Sequence, residues 1–418
     1  MVAIQGKKTL TRLASGNPWI RQHVSGWSRF LGCSQWDLAS VQRGLWRMLR
    51  DVLGSRLFFK GYLVAAFDTS LIPVSSRKLP GVQRWHDHSG DAHRGGYMQG
   101  QHWGLTGLLI KGQTWICLPL LARLLYGQKN PGFVSGADGT TAIADIWFQT
   151  LALCRQLQYL VQWPLIIVAD AFFSKAAFIN ELRRMQIILV SRMRRDASGR
   201  YPLRGIIPLK EIIPLTPEPG KRRGRKRKYG KKIKIKDLLK TKPLQEAEVT
   251  RYGKTGPVRY VEEILLLGGI PEPVKVVVVK TKGEPLILVC TALHITAVDV
   301  IELYAARFTI ETAIQYMKGE MGLLDCQCTT AVAIHRFMNL VCIATTWWRT
   351  MAMMFPVKTW SKHFVPKPYV VHTNTSLALI RQVLRHLAVR RLILSKSAKI
   401  NDLEKLSAIC ADIDRLAA

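Results

Sequence analysis

Acidic residues are scarce in this 418-residue chain. Its 28 Asp and Glu face 61 Lys and Arg, giving a formal net charge of +33. Self-repulsion of that size works against a compact state unless a polyanion offsets it. The deficit of acid therefore points first to nucleic acid as partner and second to an anionic membrane surface. Long apolar runs are missing too. The most apolar window, Phe337 to Trp348, is interrupted by Asn339 and closed by Arg349, too short to span a bilayer. No membrane insertion is expected, and the opening residues Met1 to Leu10 lack the apolar segment of a secretory signal. The eight Cys, at 33, 117, 154, 290, 326, 328, 342 and 410, form no C-x-x-C pair. Cys326-Gln-Cys328 is too tight for a usual zinc half-site. Most of the others lie in apolar runs, as buried thiols do in a reducing compartment, so a cytoplasmic protein is expected. There is no internal repeat. A 48% hydrophobic content excludes global disorder, and the length suits roughly two to four domains.

What is present is a change of hydrophobic period along the chain. Residues 1–57 read as helical. Asn17-Pro18 suits a helix start, and Ile20, Val24, Trp27 and Leu31 make an apolar stripe that stops at Gly32. Ser34-Gln-Trp-Asp37 has the spacing of a capping box before a second stripe through Leu38, Val41, Leu45, Met48 and Val52. Two helices with so short a turn could enter a DNA groove or form a plain helical hairpin. From Tyr62 the pattern becomes that of strands: Tyr62 to Val74, Gln101 to Ile110 and Thr114 to Leu121. A helix over Thr140 to Gln156, a strand over Pro164 to Ala169, a helix over Lys175 to Met185 and a strand over Ile187 to Ser191 follow. Beyond residue 211 the chain turns β-rich again, at Tyr260 to Leu267, Pro273 to Lys280 and Pro285 to Leu293. Apolar helices come next, including Phe337 to Met354. Leu377 to Ser395 and Asp402 to Leu416 read as an amphipathic helical tail.

Three acids stand out within this frame. Leu63-Val-Ala-Ala-Phe-Asp68 and Leu165-Ile-Ile-Val-Ala-Asp170 are buried-strand patterns that each deliver an Asp at or near the C-terminal end. Catalytic groups in α/β folds gather at that edge, although a lone strand-end Asp more often caps a turn. The third acid sits in Tyr304-Ala-Ala-Arg307-Phe-Thr-Ile-Glu311-Thr-Ala-Ile-Gln-Tyr-Met-Lys318. At ~100° per residue, Tyr304, Arg307, Glu311 and Lys318 return to one helix face within roughly 60°. Such a stripe puts a carboxylate suited to a divalent cation between cations suited to phosphates. It could equally be a solvated helix face with an ordinary i,i+4 pair.

Together these residues resemble the DDE transposases of the insertion-sequence-four group, whose signature is Tyr, two residues, Arg, three residues, Glu, six residues, Lys. The resemblance spans about residues 60–325. It implies an α/β fold: an RNase H-like mixed sheet with helices on both faces, interrupted by a β-rich insertion, with helical N- and C-terminal regions. The order of strands and helices after Tyr62 agrees. The expected division is 1–57 N-terminal helical, 58–210 first part of the catalytic core, 211–294 basic linker and β-rich insertion, 295–350 second part of the core, and 351–418 C-terminal helical. The resemblance further implies that Asp68, Asp170 and Glu311 hold two Mg²⁺ ions, replaceable by Mn²⁺. Tyr304, Arg307 and Lys318 would contact phosphates near the DNA ends, with a homodimer formed on two ends. The reaction would be hydrolysis at element ends, then attack of the freed 3′-hydroxyl on target DNA. A nuclease without strand transfer and a domesticated, non-catalytic DNA-binding protein are the alternatives. Some members stack a flipped base on a Trp in the insertion. This chain has no Trp between Trp163 and Trp347, leaving Tyr252 or Tyr260 for such a role.

Two further stretches carry charge or metal-ligand residue types. Lys221-Arg222-Arg223-Gly-Arg225-Lys226-Arg227-Lys228 opens a run to Lys236 with eleven cations in sixteen residues and no acid. Such a run is usually solvated, and a DNA backbone would supply its counterions. His86, Asp87, His88, Asp91, His93 and His102 invite a zinc reading, but they lack fixed ligand spacing and have Lys78, Arg84 and Arg94 around them. A loop touching phosphates is the better expectation.

Overall fold

The computed structural model describes residues 9–11, 23–86, 96–112, 114–127, 146–202 and 229–355. Asn17-Pro18, the start of the helix expected from Thr140, Asp87, His88, Asp91, His93, Lys221–Lys228 and the tail helices beyond Met354 lie outside those residues.

Two helices, α1 (Val24–Gly32) and α2 (Leu38–Leu53), precede the sheet. The expected cap at Ser34 falls instead on Asp37, whose carboxylate accepts from the amides of Ala39 (3.0 Å) and Ser40 (2.9 Å). Asp37 is the better cap because its side chain alone reaches both orphan amides of the first turn. Leu45, Trp46, Leu49 and Leu53 then bury α2 against the body.

The centre is a 13-stranded sheet. Its first part comprises β1 (Phe58–Phe59), β2 (Tyr62–Pro73), β3 (Val82–His86), β4 (Tyr97–Lys111) and β5 (Trp115–Leu125). Pattern reading overlooked β3, whose exposed alternate positions blur its period. It pairs with Tyr97–Gln101 at the head of β4, and β5 pairs with the rest of β4. Helix α3 (Ile146–Val161) leads to β6 (Leu165–Ala169), and α4 (Ala176–Arg184) leads to β7 (Ile188–Arg192). β6 lies parallel to β2, and β7 lies parallel to β6. This is the RNase H-like pattern: antiparallel strands on one side of β2 and crossover-connected parallel strands on the other.

The later β segments extend the same sheet. They are β8 (Ser198–Arg200), β9 (Lys232–Lys234), β10 (Gln245–Arg251), β11 (Lys254–Leu267), β12 (Val274–Val279) and β13 (Leu286–Cys290), with a short helix α5 (Leu238–Thr241) before β10. β13 hydrogen-bonds to β7, and β12 and β11 follow outward. The β-rich insertion is thus continuous with the core sheet. β12 reads Val-Lys-Val-Val-Val-Val and is buried throughout, as a strand covered on both faces must be.

Two long helices, α6 (Ala297–Gly319) and α7 (Ala331–Met354), cover one face. Their layer includes Val64, Ala66, Ile166, Val168, Val190, Leu303, Ile310 and Phe337. The opposite layer joins Leu63, Phe67, Ile167 and Leu189 to residues of α2, α3 and α4. Helices on both faces of a mixed sheet make the α/β fold expected from the sequence. No helix among the described residues is long and apolar enough to cross a membrane.

Candidate active site

Strand register brings the first two acids together. Leu63 pairs with Leu165 and Ala66 with Val168; two residues further on, the same register sets Asp68 level with Asp170. Both continue the alternation of Ala66 and Val168, so both belong to the face covered by α6. Asp68 lies within β2 rather than at its end, because antiparallel pairing with β4 carries β2 on to Pro73. Asp170 is the first residue past β6. Phe173, buried against Phe67 and Phe178, turns the chain there, and the Phe173 amide bonds back to the Asp170 carbonyl at 3.0 Å. The buried Ser191 hydroxyl also donates to that carbonyl (3.0 Å) and ties the turn to β7.

Helix α6 supplies the third acid. Its start is fixed by the Thr296 cap and by two buried acids with partners at the far end of the sheet. Asp299 meets Lys60 at 2.6 Å; Glu302 meets Lys111 at 2.7 Å and accepts from Trp115 at 2.9 Å. From that anchor the helix runs along β2 until Glu311 reaches the level of Asp68. Arg307 joins them, donating to Asp68 Oδ2 at 3.1 Å and to Glu311 Oε1 at 2.6 Å. With 12% of its side chain exposed, Arg307 is no surface ion pair. Its guanidinium also lies 5.8 Å from the Tyr304 ring centre. Lys318 donates to the Leu71 carbonyl at 3.1 Å, further along the same strand.

The electrostatics are those of crowded acids around one cation. Burial pushes the Asp68 carboxyl above the usual carboxylate range; Arg307 and the Thr69 amide pull it back, while Glu311 and Asp170 push it up again. Burial opposes the charge on Arg307, yet Asp68, Tyr304 and Glu311 outweigh it and hold the guanidinium pKa above its ordinary value. Burial also raises the Tyr304 phenol, with Asp170 adding to the rise and Arg307 and Arg192 opposing it, so its hydroxyl stays protonated. Three carboxylates are a hard-oxygen set that suits Mg²⁺ or Mn²⁺. Their mutual repulsion calls for a bridging cation, which here is Arg307. Among the described residues no three His, Cys, Asp or Glu side chains close on one point as they stand. A metal held by these acids would have to displace Arg307 from at least one carboxylate.

Of the proposed stacking residues, Tyr260 is buried in the core at 7% exposure, whereas Tyr252 is 71% exposed at the β10–β11 turn. Tyr252 meets the half-exposed Phe308 of α6 edge-on at 5.7 Å, one residue from Arg307. The sequence reading missed Phe308, Ser191 and Arg192. Arg192, one residue past the strand expected over Ile187 to Ser191, had no signal short of the register. His86 and His102 lie in β3 and β4, and each packs against a neighbouring aromatic ring.

The RNase H-like sheet thus sets two Asp level with each other beneath a helix bearing a Glu. Residues 1–259 match the family model described as DDE superfamily endonuclease, and the chain belongs to that family. The match includes Asp68 and Asp170 and ends before Glu311. Enzymes of this superfamily generally use divalent metals and act on DNA. Among curated proteins none matches the chain.

Proposed function

We propose that this protein is a DNA transposase of the insertion-sequence-four group, acting on element ends as a homodimer in the cytoplasm, at the nucleoid. Asp68, Asp170 and Glu311 are the residues that would hold two Mg²⁺ ions. When bound, these ions would lower the pKa of the attacking water or 3′-hydroxyl and stabilise the leaving oxygen. The observation that carries this reading is the bridge from Arg307 to both Asp68 and Glu311, which gathers a strand acid and a helix acid distant in sequence at one point. Arg307 neutralises the acids before substrate arrives, then turns its planar fork to a phosphate. Tyr304, its hydroxyl protonated, donates to a neighbouring phosphate oxygen. Lys318 lies farther along β2, where the strand beyond the scissile position would run. Tyr252 with Phe308 is the pair suited to stacking a base. The five-segment division belongs to the same reading, with residues 211–294 functioning as an insertion although their strands prolong the sheet.

Asp170→Asn and Glu311→Gln preserve size while removing charged ligands. Both should fold and bind DNA as the wild type does, and Mg²⁺-dependent cleavage of end-containing DNA should fall to background. Near-wild-type cutting by either would refute the assignment. Supplying pre-cleaved ends then separates a transposase, which joins them to target, from a nuclease, which does not.

A further inference from the structure

The parallel strands place a third residue in the row of Asp68 and Asp170. Val168 pairs with Val190 and Ala169 with Ser191, so the same register sets Arg192 level with Asp170. Ile188 and Val190 pack in the layer under α6, and alternation gives Arg192 that same face. Asp68 in β2, Asp170 just past β6 and Arg192 at the end of β7 thus stand level on neighbouring segments of the sheet. Neighbouring strands are ~4.8 Å apart.

The site's other cations have partners within the protein. Arg307 serves two carboxylates, and Lys318 serves the Leu71 carbonyl. Arg192 differs: among the described residues its guanidinium makes no hydrogen bond or ion pair, although the residue is half-buried. It is near enough to favour ionisation of the Tyr304 phenol, which Asp170 opposes. Tyr304 therefore lies within the fields of both. With no partner among the described residues, the Arg192 donors are open to an anion. Asp170 cannot serve both Arg192 and a metal, and the neighbouring position on β13, Leu288, is apolar.

We propose that Arg192 is a phosphate-binding residue of the active site, holding a DNA backbone phosphate next to the scissile one on the Asp170 side. This rests on the reading of the site as one that cuts DNA. Arg192 would oppose Arg307 across the acids, so that a strand passing over Asp170 meets a cation on either side. Its planar donors suit phosphate oxygens better than an ammonium does.

The test uses a fluorescein-labelled duplex with a single-stranded 3′ tail and measures binding by anisotropy for the full chain, Arg192→Gln and Arg192→Lys. A series of otherwise identical DNAs carries one neutral methylphosphonate linkage at successive positions. In wild type, one neutral linkage should weaken binding by about tenfold, a typical charge-assisted contact. At that position Arg192→Gln should be indifferent, because its partner charge is already gone. Arg192→Lys should remain sensitive there, with lower overall affinity. A purely structural role for Arg192 predicts a uniform loss with every sensitivity retained, and that result overturns the proposal. If Arg192→Gln does not fold, Arg192→Lys decides alone: wild-type affinity throughout the series overturns it. Failure of wild type to bind any of these DNAs would instead overturn the DNA-cutting reading.

Discussion

At the scale of single residues, pH can test the crowding around Asp68. Its carboxyl pKa lies above the ordinary range because burial, Glu311 and Asp170 outweigh Arg307 and the Thr69 amide. The folded protein therefore holds this proton more tightly than the unfolded chain does. Asp68's favourable contribution is present below the unfolded carboxylate value of about 3.9, and it is lost as pH rises through the raised folded value. Asp68→Asn should accordingly melt above wild type at neutral pH in metal-free, DNA-free protein, and the gap should close as the melts are repeated toward pH 4. A lower melting point at neutral pH would mean that the Arg307 bridge outweighs burial. If Asp68 and Glu311 hold metal as proposed, Arg307 competes with it for both carboxylates. Arg307→Gln should tighten Mn²⁺ binding to the DNA-free protein, read by the loss of free-ion spin resonance signal. Its cleavage should still fall by roughly one to two orders of magnitude, since a charge-assisted phosphate contact is worth about 1.5–3 kcal/mol. Equal Mn²⁺ affinity in both proteins would show that Arg307 moves aside at no cost.

At the scale of elements, most strands and helices of the core were legible because their periods are clean. Leu63–Phe67 and Leu165–Ala169 are unbroken apolar runs with an acid after them, and α6 carries its stripe in a fixed spacing. The sequence could not show that Asp68 lies mid-strand, since only pairing with β4 extends β2 past it. Nor could it show that β13 joins β7 and makes the insertion part of the core sheet, because partner choice between distant strands leaves no local mark. Arg192 was invisible for the same reason: its meaning comes from a register shared by three strands. Close approach between strands is another tertiary property, and two glycines of β4 separate it from mere strand weakness. A Cβ on Gly107 would lie 2.5 Å from Cys117 Sγ and 2.9 Å from the Leu118 carbonyl, at the irregularity in β4–β5 pairing. A Cβ on Gly104 would meet Leu125 and Phe67 at an ordinary 3.4 Å. Gly107→Ala should lose about 1–3 kcal/mol in urea unfolding, as overpacked sites do. Gly104→Ala should sit within about 0.5 kcal/mol of wild type. Equal losses at both would mean that β5 shifts freely to accommodate the methyl.

At the scale of the whole molecule, a formal charge of +33 has to be reconciled with a site built from acids. The acids gather around β2 and β6, and the described end of the basic run, Lys232–Lys234, forms β9 and pairs with β8. That placement bears on how the run can be tested. Removing all of it would strip a strand from the sheet, so the informative deletion is Lys221 to Lys228, which takes away seven cations and leaves β9 intact. For every DNA phosphate that the shortened chain leaves unneutralised, the plot of log affinity against log salt should flatten by ~0.9. If the run lies along DNA, the deletion should make that slope clearly shallower. The ratio of affinity for element ends to affinity for random sequence should change little, because backbone contacts position DNA without reading it. Cleavage at saturating DNA should also persist, since Asp68, Asp170 and Glu311 are untouched. An unchanged slope would mean that the run points away from DNA, and that the acid deficit elsewhere on the surface supplies the attraction. A collapse of end preference with an unchanged slope would instead make the run a reader of sequence.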